Sequence, residues 1–244
     1  MTTFPLDRRL GRLPSPPDAR TLQFPDYIRL PLPPAAPTID WTKAITNWGV
    51  LGNDAYGDCV YAGVGHHIMC WTVNKTGTPH PVTSREIIAA YLSDTGGDNG
   101  ANILDTCKLW RKRGICGHRI WAFTALNPGN PEWVRLAIEL FGGIKTGVNL
   151  PNAWRTAEFW DIGRGRNYEP GSWGGHDVPI IAYDETHLTC VSWGQLQKLT
   201  WAGFAKYFDE AYAMISPEWL APDAQTPEGF DLKLLHDDLK VVTA

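Results

Sequence analysis

The hydrophobic rhythm of the chain changes once, near Gly142, and this change constrains the fold more than any other feature. Before it, apolar residues recur at helical spacing; after it, short β-branched stretches bounded by turn residues take over. The segment after Gly57 runs on in helical period, with Asp58 placed as its cap. Residues 84–94 form a second expected helix with a serine cap, and 101–114 a third that ends in basic residues and a glycine. Residues 130–143 carry proline in the first turn and glycine at the end of a fourth. Strands are expected over 143–151, 176–184, 187–194 and 197–200, with Asp184-Glu185-Thr186 turning the second into the third. Residues 200–215, capped by Thr200, and the amphipathic stretch 226–242 are expected to return to helix. Helices first and strands later predict an α+β fold in two lobes.

Residues 1–45 stand apart. They carry "LPSPP" and "LPLPPAAP" and no sustained period, so they are expected as an extended proline-rich arm, a candidate contact for a protein partner. The body is expected over 46–222, as a helical lobe at about 46–142 and a β lobe at about 143–222, followed by a helical tail at 223–244.

Composition excludes several functions. A net charge of −4 leaves no electrostatic footprint for nucleic acid, and "GRGR" at 163–166 is expected as a solvated loop. No apolar run suits a membrane span or the core of a signal peptide, so a reducing compartment, or a particle assembled in one, is the expected setting. Five cysteines, an odd number at irregular spacing, do not form a disulfide framework. His66, His67 and Cys70 share one helix, but no full zinc ligand set can be assembled around them. They are expected as core and helix contacts, and no metal or other cofactor is expected.

Taken alone, Cys59 reads as a small buried hydrophobe. Its surroundings change that reading. It lies in the first turn of a helix, where unpaired amides and the helix dipole favour a thiolate. Asn53, six residues upstream, offers an amide that can donate to an oxyanion beside the Cys59 N–H. His176 opens a strand far downstream, and "SWG" follows at 192–194.

Over roughly residues 36–216 this arrangement resembles the papain-like cysteine peptidases. In that family a glutamine and a glycine precede the nucleophile at the spacing of Asn53, Gly57 and Cys59 here. A histidine opens a later strand, with a tyrosine seven residues on and an Asn-Ser-Trp-Gly run beyond it. The counterparts are His176, Tyr183 and Val191-Ser192-Trp193-Gly194. The segment "PEWVRLAIELFGGIKTGVNL" also looks like the family's helix, glycine and strand.

The chain departs from the family at several positions. Val60 replaces the tryptophan after the nucleophile, and asparagine replaces the glutamine. Alignment on Trp-Gly places Val191, which has no acceptor, where the histidine-orienting asparagine belongs. Ser192 is the candidate orienter only if the preceding hairpin slips by one residue, because adjacent strand residues face opposite sides. Asp54 and Asp58 add negative charge near the sulfur.

The resemblance implies a two-lobed papain-like fold with an antiparallel β lobe and a cleft between the lobes. It implies a Cys59–His176 dyad, an oxyanion site at Asn53, and Trp193 covering the imidazole. The substrate would be a peptide or a cell-wall peptide. Two other readings stand beside peptide-bond cleavage: a structural or interaction protein without turnover, such as a phage-particle component, and a peptidoglycan-cleaving Cys-His hydrolase. No pro-segment long enough to occlude a groove is evident.

Overall fold

A computed structural model of the chain describes residues 8–29, 34–220 and 229–242. Its first elements are β1 (Arg12–Leu13), β2 (Ile39–Asp40), α1 (Cys59–Thr76), α2 (Ser84–Thr95) and β3 (Ala101–Asn102). Next come α3 (Ile103–Lys112), β4 (Ala122–Leu126), α4 (Pro131–Phe141) and β5 (Ile144–Leu150). The remainder holds β6 (Phe159–Trp160), β7 (Gly174–Tyr183), β8 (His187–Ser192), β9 (Gln195–Thr200), α5 (Trp201–Tyr207), β10 (Phe208–Ile215), α6 (Pro217–Leu220) and α7 (Leu232–Val242). No helix among the described residues is long and apolar enough to cross a membrane.

The main sheet has the order β4-β10-β5-β7-β8-β9-β6, with β2 added along β7. Its neighbours are antiparallel except β6 and β9. The strand β4 lies within the stretch expected as helical lobe, yet it pairs with β10 at the end of the chain. One core fills the space between the sheet and α4, around Phe24, Phe141, Trp154, Val178 and Ile180. A second lies among α1, α2 and α3, around Tyr61, Val64, Trp71, Ile103 and Trp110. The helix α1 is buried around its whole circumference over its first ten residues, as expected of a helix enclosed between two layers.

Local chemistry explains most of the boundaries. The helix α4 begins with the Asn130 side chain accepting from the Glu132 and Trp133 amides, has Pro131 in its first turn, and ends at Gly142 in the left-handed region. For α2 the cap is Thr83, in a reciprocal box with Glu86, rather than the expected Ser84. The expected helix 101–114 starts only at Ile103, because Ala101 and Asn102 pair in parallel with β1 of the N-terminal arm. The expected helix 200–215 is broken. It stops at Tyr207, and "FDEAYAMI" forms β10 between β4 and β5, where two ladders override its mild helix preference. The tail helix starts at Leu232; residues 226–228 of the expected 226–242 lie outside the described residues.

One polar contact crosses the apolar interior. Lys145 of β5, fully buried, donates from Nζ to the Val60 carbonyl of α1 at 2.7 Å and to Asp177 Oδ1 of β7 at 2.9 Å. Gly63 makes room for the pair: a Cβ there would lie 2.1 Å from Asp177 Oδ1. Removing one partner of a buried pair strands the other charge. Lys145→Met is therefore expected to lower unfolding free energy by about 3–5 kcal/mol, read from urea denaturation. A loss within about 0.5 kcal/mol would mean the pair contributes no more than an ordinary surface contact.

Candidate active site

Cys59 is the first residue of α1, and its side chain is buried, with 1% of the residue exposed. Asp58 occupies the cap position, but its carboxylate makes no capping hydrogen bond, contrary to expectation. His176 lies near the start of β7, opposite Val148 of β5. The two side chains line one cavity of about 10 Å³, together with Asn53, Trp193, His66 and Asp177. Space of this size holds at most a single water. No hydrogen bond joins sulfur and imidazole: His176 Nδ1 is buried without a hydrogen-bond partner among the described residues. The backbone amides of Asp177 and Gly11 lie close to the sulfur and partly offset the effect of its burial.

The other imidazole nitrogen is held. His176 Nε2 and Ser192 Oγ are 3.1 Å apart. A bulge in β7 makes this contact. Tyr183 pairs with Leu188 and Ala182 with Thr189, but Ile180 pairs with Cys190, so Ile181 has no opposite residue. Continuing the Ile180–Cys190 register puts Ser192 opposite Val178, on the face that carries His176. Without the extra residue Val191 would take that face. Val191 instead packs with Ile181 and Trp48.

Beyond Ser192 the chain reverses through Trp193 and Gly194, both in the left-handed region (φ 47° and 74°), as a two-residue hairpin requires. The turn lays the Trp193 indole flat on the imidazole, with centroids 4.2 Å apart and planes within 10°. Trp173 stacks on Trp193 in turn.

Asn53 lines the cavity beside the sulfur, with its Nδ2 donating to the Tyr56 carbonyl at 3.1 Å and its side chain against the Asp58 carboxylate. His66 shares a hydrogen bond with the Gly49 carbonyl at 2.9 Å, His67 stacks on Trp71, and Cys70 Sγ lies 3.5 Å from the Gly142 carbonyl. These three are core contacts.

Electrostatically the pair is discharged. Burial, followed by the Asp177 charge, pushes the Cys59 thiol up to about 12. Burial, followed by the Arg8, His66 and Lys145 charges, pulls His176 down to about 3. The sulfur carries its proton and the imidazole is neutral.

The N-terminal arm encloses the site. Arg8 lies over the Trp193 ring at 4.8 Å, and Trp193 Nε1 donates to the Arg9 carbonyl. The Arg9 amide bonds the Asn53 carbonyl, and the Gly11 carbonyl accepts from Ala101. Gly11 touches Gly57 so closely that a Cβ at position 11 would fall 1.8 Å from the Gly57 oxygen. Residues 8–13 thus lie against Asn53, Gly57 and Trp193 around the cavity.

Comparison with solved structures defines the class: the chain has the papain-like fold of cysteine proteases, despite low sequence identity. Among the similar structures is xylellain, a cysteine protease from Xylella fastidiosa, with a TM-score of 0.69, 15% identity, and coverage of 88% of this chain and 99% of that one. The cysteine protease CMS1MS2 of Carica candamarcensis, in complex with E-64, matches with a TM-score of 0.56 at 13% identity, over 74% of this chain and 99% of the other. Procathepsin B S9 of Trypanosoma congolense gives 0.61 at 11%, over 87% of each. No family profile matches the chain, and no curated protein matches it by sequence.

Several residues at the site escape sequence reasoning: Lys145, Asp177, Gly11 and Arg12. A lysine in the middle of an apolar strand was a usable signal, since a buried ammonium demands a partner. The arm offers none.

Neither Asp58 oxygen makes a well-formed hydrogen bond among the described residues, although the Asn53 side chain lies against the carboxylate. Burial raises its pKa from 3.8 to about 7, with Asp98 and Asp54 adding repulsion. The folded chain therefore holds this proton across a range where the unfolded chain has released it, and the associated stability is lost as pH rises from about 4 through about 7. Asp58→Asn is expected to melt higher than the parent at about pH 8.5, with the gap narrowing at about pH 4.5. A gap that stays constant or widens in acid contradicts this assignment.

Proposed function

We propose that the chain is a cysteine peptidase held in a latent form by its own N-terminal arm. One observation carries the reading. His176 is clamped by Ser192 at Nε2 and by Trp193 on its face, so Nδ1 is left without a partner beside the cavity that the Cys59 sulfur also lines. With Nε2–H donated to the serine oxygen, Nδ1 carries the lone pair that accepts the thiol proton.

When residues 8–13 leave, water and substrate re-enter and the desolvation that holds both groups neutral is relieved. The thiolate then attacks the substrate carbonyl. The oxyanion is received by the Cys59 amide and the Asn53 side-chain amide, which turns from Asp58 toward it. The His176 imidazolium returns its proton to the leaving amine, and water, deprotonated by the same imidazole, releases the acyl group and restores the thiol. Ser192 replaces an amide oxygen as the group that orients the ring. The rival reading, a papain-like body without turnover, draws on the same burial of the sulfur, and thiol reactivity separates the two.

Gly11→Val cannot seat the arm against Gly57, so it opens the site. Its Cys59 is expected to react with iodoacetamide at least about tenfold faster than in the parent, since alkylation follows thiolate fraction and access. Half-buried Cys116 serves as the internal reference. Adding His176→Ala should return Cys59 to slow labelling. Equal labelling of Cys59 in all three proteins would favour the body without turnover.

A further inference from the structure

The arm shows how an extended peptide lies in this cleft, and Arg12 shows what one pocket accepts. The pocket is built by the sheet and is complete without the arm. Gly147 of β5 is its floor: a Cβ there would come within 2.6 Å of the Arg12 Cζ and Nε. Its far wall is acidic. Glu210 Oε1 accepts from Nε at 2.9 Å and from Nη2 at 2.5 Å, and Asp209 Oδ1 accepts from Nη2 at 2.6 Å. Asn149 Oδ1 lies 3.4 Å from Nη1.

Body residues hold both acids in place. Tyr212 donates its hydroxyl to Glu210 Oε2, and Asn149 Nδ2 donates to Asp209 Oδ2. The guanidinium side chain that fills the pocket is 2% exposed. A largely buried carboxylate, Glu210, and a second, Asp209, at the exposed rim face a floor without a side chain and form a slot for a planar cation, which suits arginine better than lysine.

Position makes the slot functional. Arg12 follows Gly11, which packs on Gly57 two residues before Cys59, and both residues lie on the Ala101–Asn102 edge, where an extended peptide adds as a strand. We infer that the pocket formed by Gly147, Asn149, Asp209 and Glu210 is a substrate subsite that selects an arginine side chain close to the scissile bond, and that Arg12 occupies it in the latent form. The inference rests on the peptidase reading for the meaning of the site, but the binding it claims does not require turnover.

The test uses the full chain carrying Gly11→Val, which displaces the arm, and Cys59→Ala, which keeps peptides intact. Two synthetic hexapeptides are titrated calorimetrically: the sequence of residues 8–13, and the same peptide with leucine in place of the arginine at position 12. The arginine peptide is expected to bind at least about tenfold tighter, the scale of a charge-assisted contact in a closed pocket, and Glu210→Gln should reduce the difference to about twofold or less. Equal affinities, or a preference that survives Glu210→Gln, would overturn the inference. If Gly11→Val fails to fold, Arg12→Ala empties the same pocket for the same titration.

Digestion of a peptide library by the Gly11→Val chain with Cys59 intact separates the two levels. Cuts enriched for arginine at one fixed position support both. Cuts without enrichment overturn the subsite alone. Selective binding without any cuts removes the peptidase reading and leaves the pocket.

Discussion

The buried ammonium of Lys145 holds the site together. It touches the first turn of the helix that carries the sulfur and the strand residue next to the imidazole, so it fixes two elements from opposite halves of the chain with one group. An apolar contact between α1 and β7 would bury as much surface, but it would tolerate sliding. A lysine chelated by a carbonyl and a carboxylate does not, because each displaced hydrogen bond exposes a polar group to an apolar interior. A polar tie inside a hydrophobic contact fixes the relative position of α1 and β7 more tightly than apolar packing alone.

The arm acts on the same site by excluding water. Its backbone passes close to the sulfur, and its Arg8 adds positive charge near His176, while the body's own Asp177 and Asp58 add negative charge near Cys59. Both trends favour the uncharged pair. The arm is held by local polar contacts at Asn53, Ala101, Trp193, Asp209 and Glu210, and its residues 8–13 contribute little to either apolar core.

The division between legible and hidden features follows the physics. α4 was legible down to its ends, because Asn130, Pro131 and Gly142 each satisfy or withhold specific backbone groups. The hairpin from β7 through Asp184 to β8 was legible for the same reason: the Asp184 carboxylate accepts from the Thr186 and His187 amides. β10 was not, since "FDEAYAMI" fits a helix until two neighbouring strands claim its backbone. Asp58 was misjudged because a capping residue at a helix start normally caps; here the turn before α1 leaves its carboxylate buried away from those amides. Cys59, His176 and Asn53, which the family resemblance singled out, line one cavity. The glycine that lets the arm approach was not singled out, because nothing in residues 8–13 reveals the surface they meet.

The unpaired Ile181 has a consequence for how chains of this shape are compared. Strand side chains alternate, so one additional residue upstream changes which of two neighbours meets the ring, with neither neighbour replaced. Column-by-column alignment sets an inert valine against the histidine and reports a broken triad. The folded backbone supplies a hydroxyl instead, so the gap in the alphabet is repaired by an insertion elsewhere in the strand.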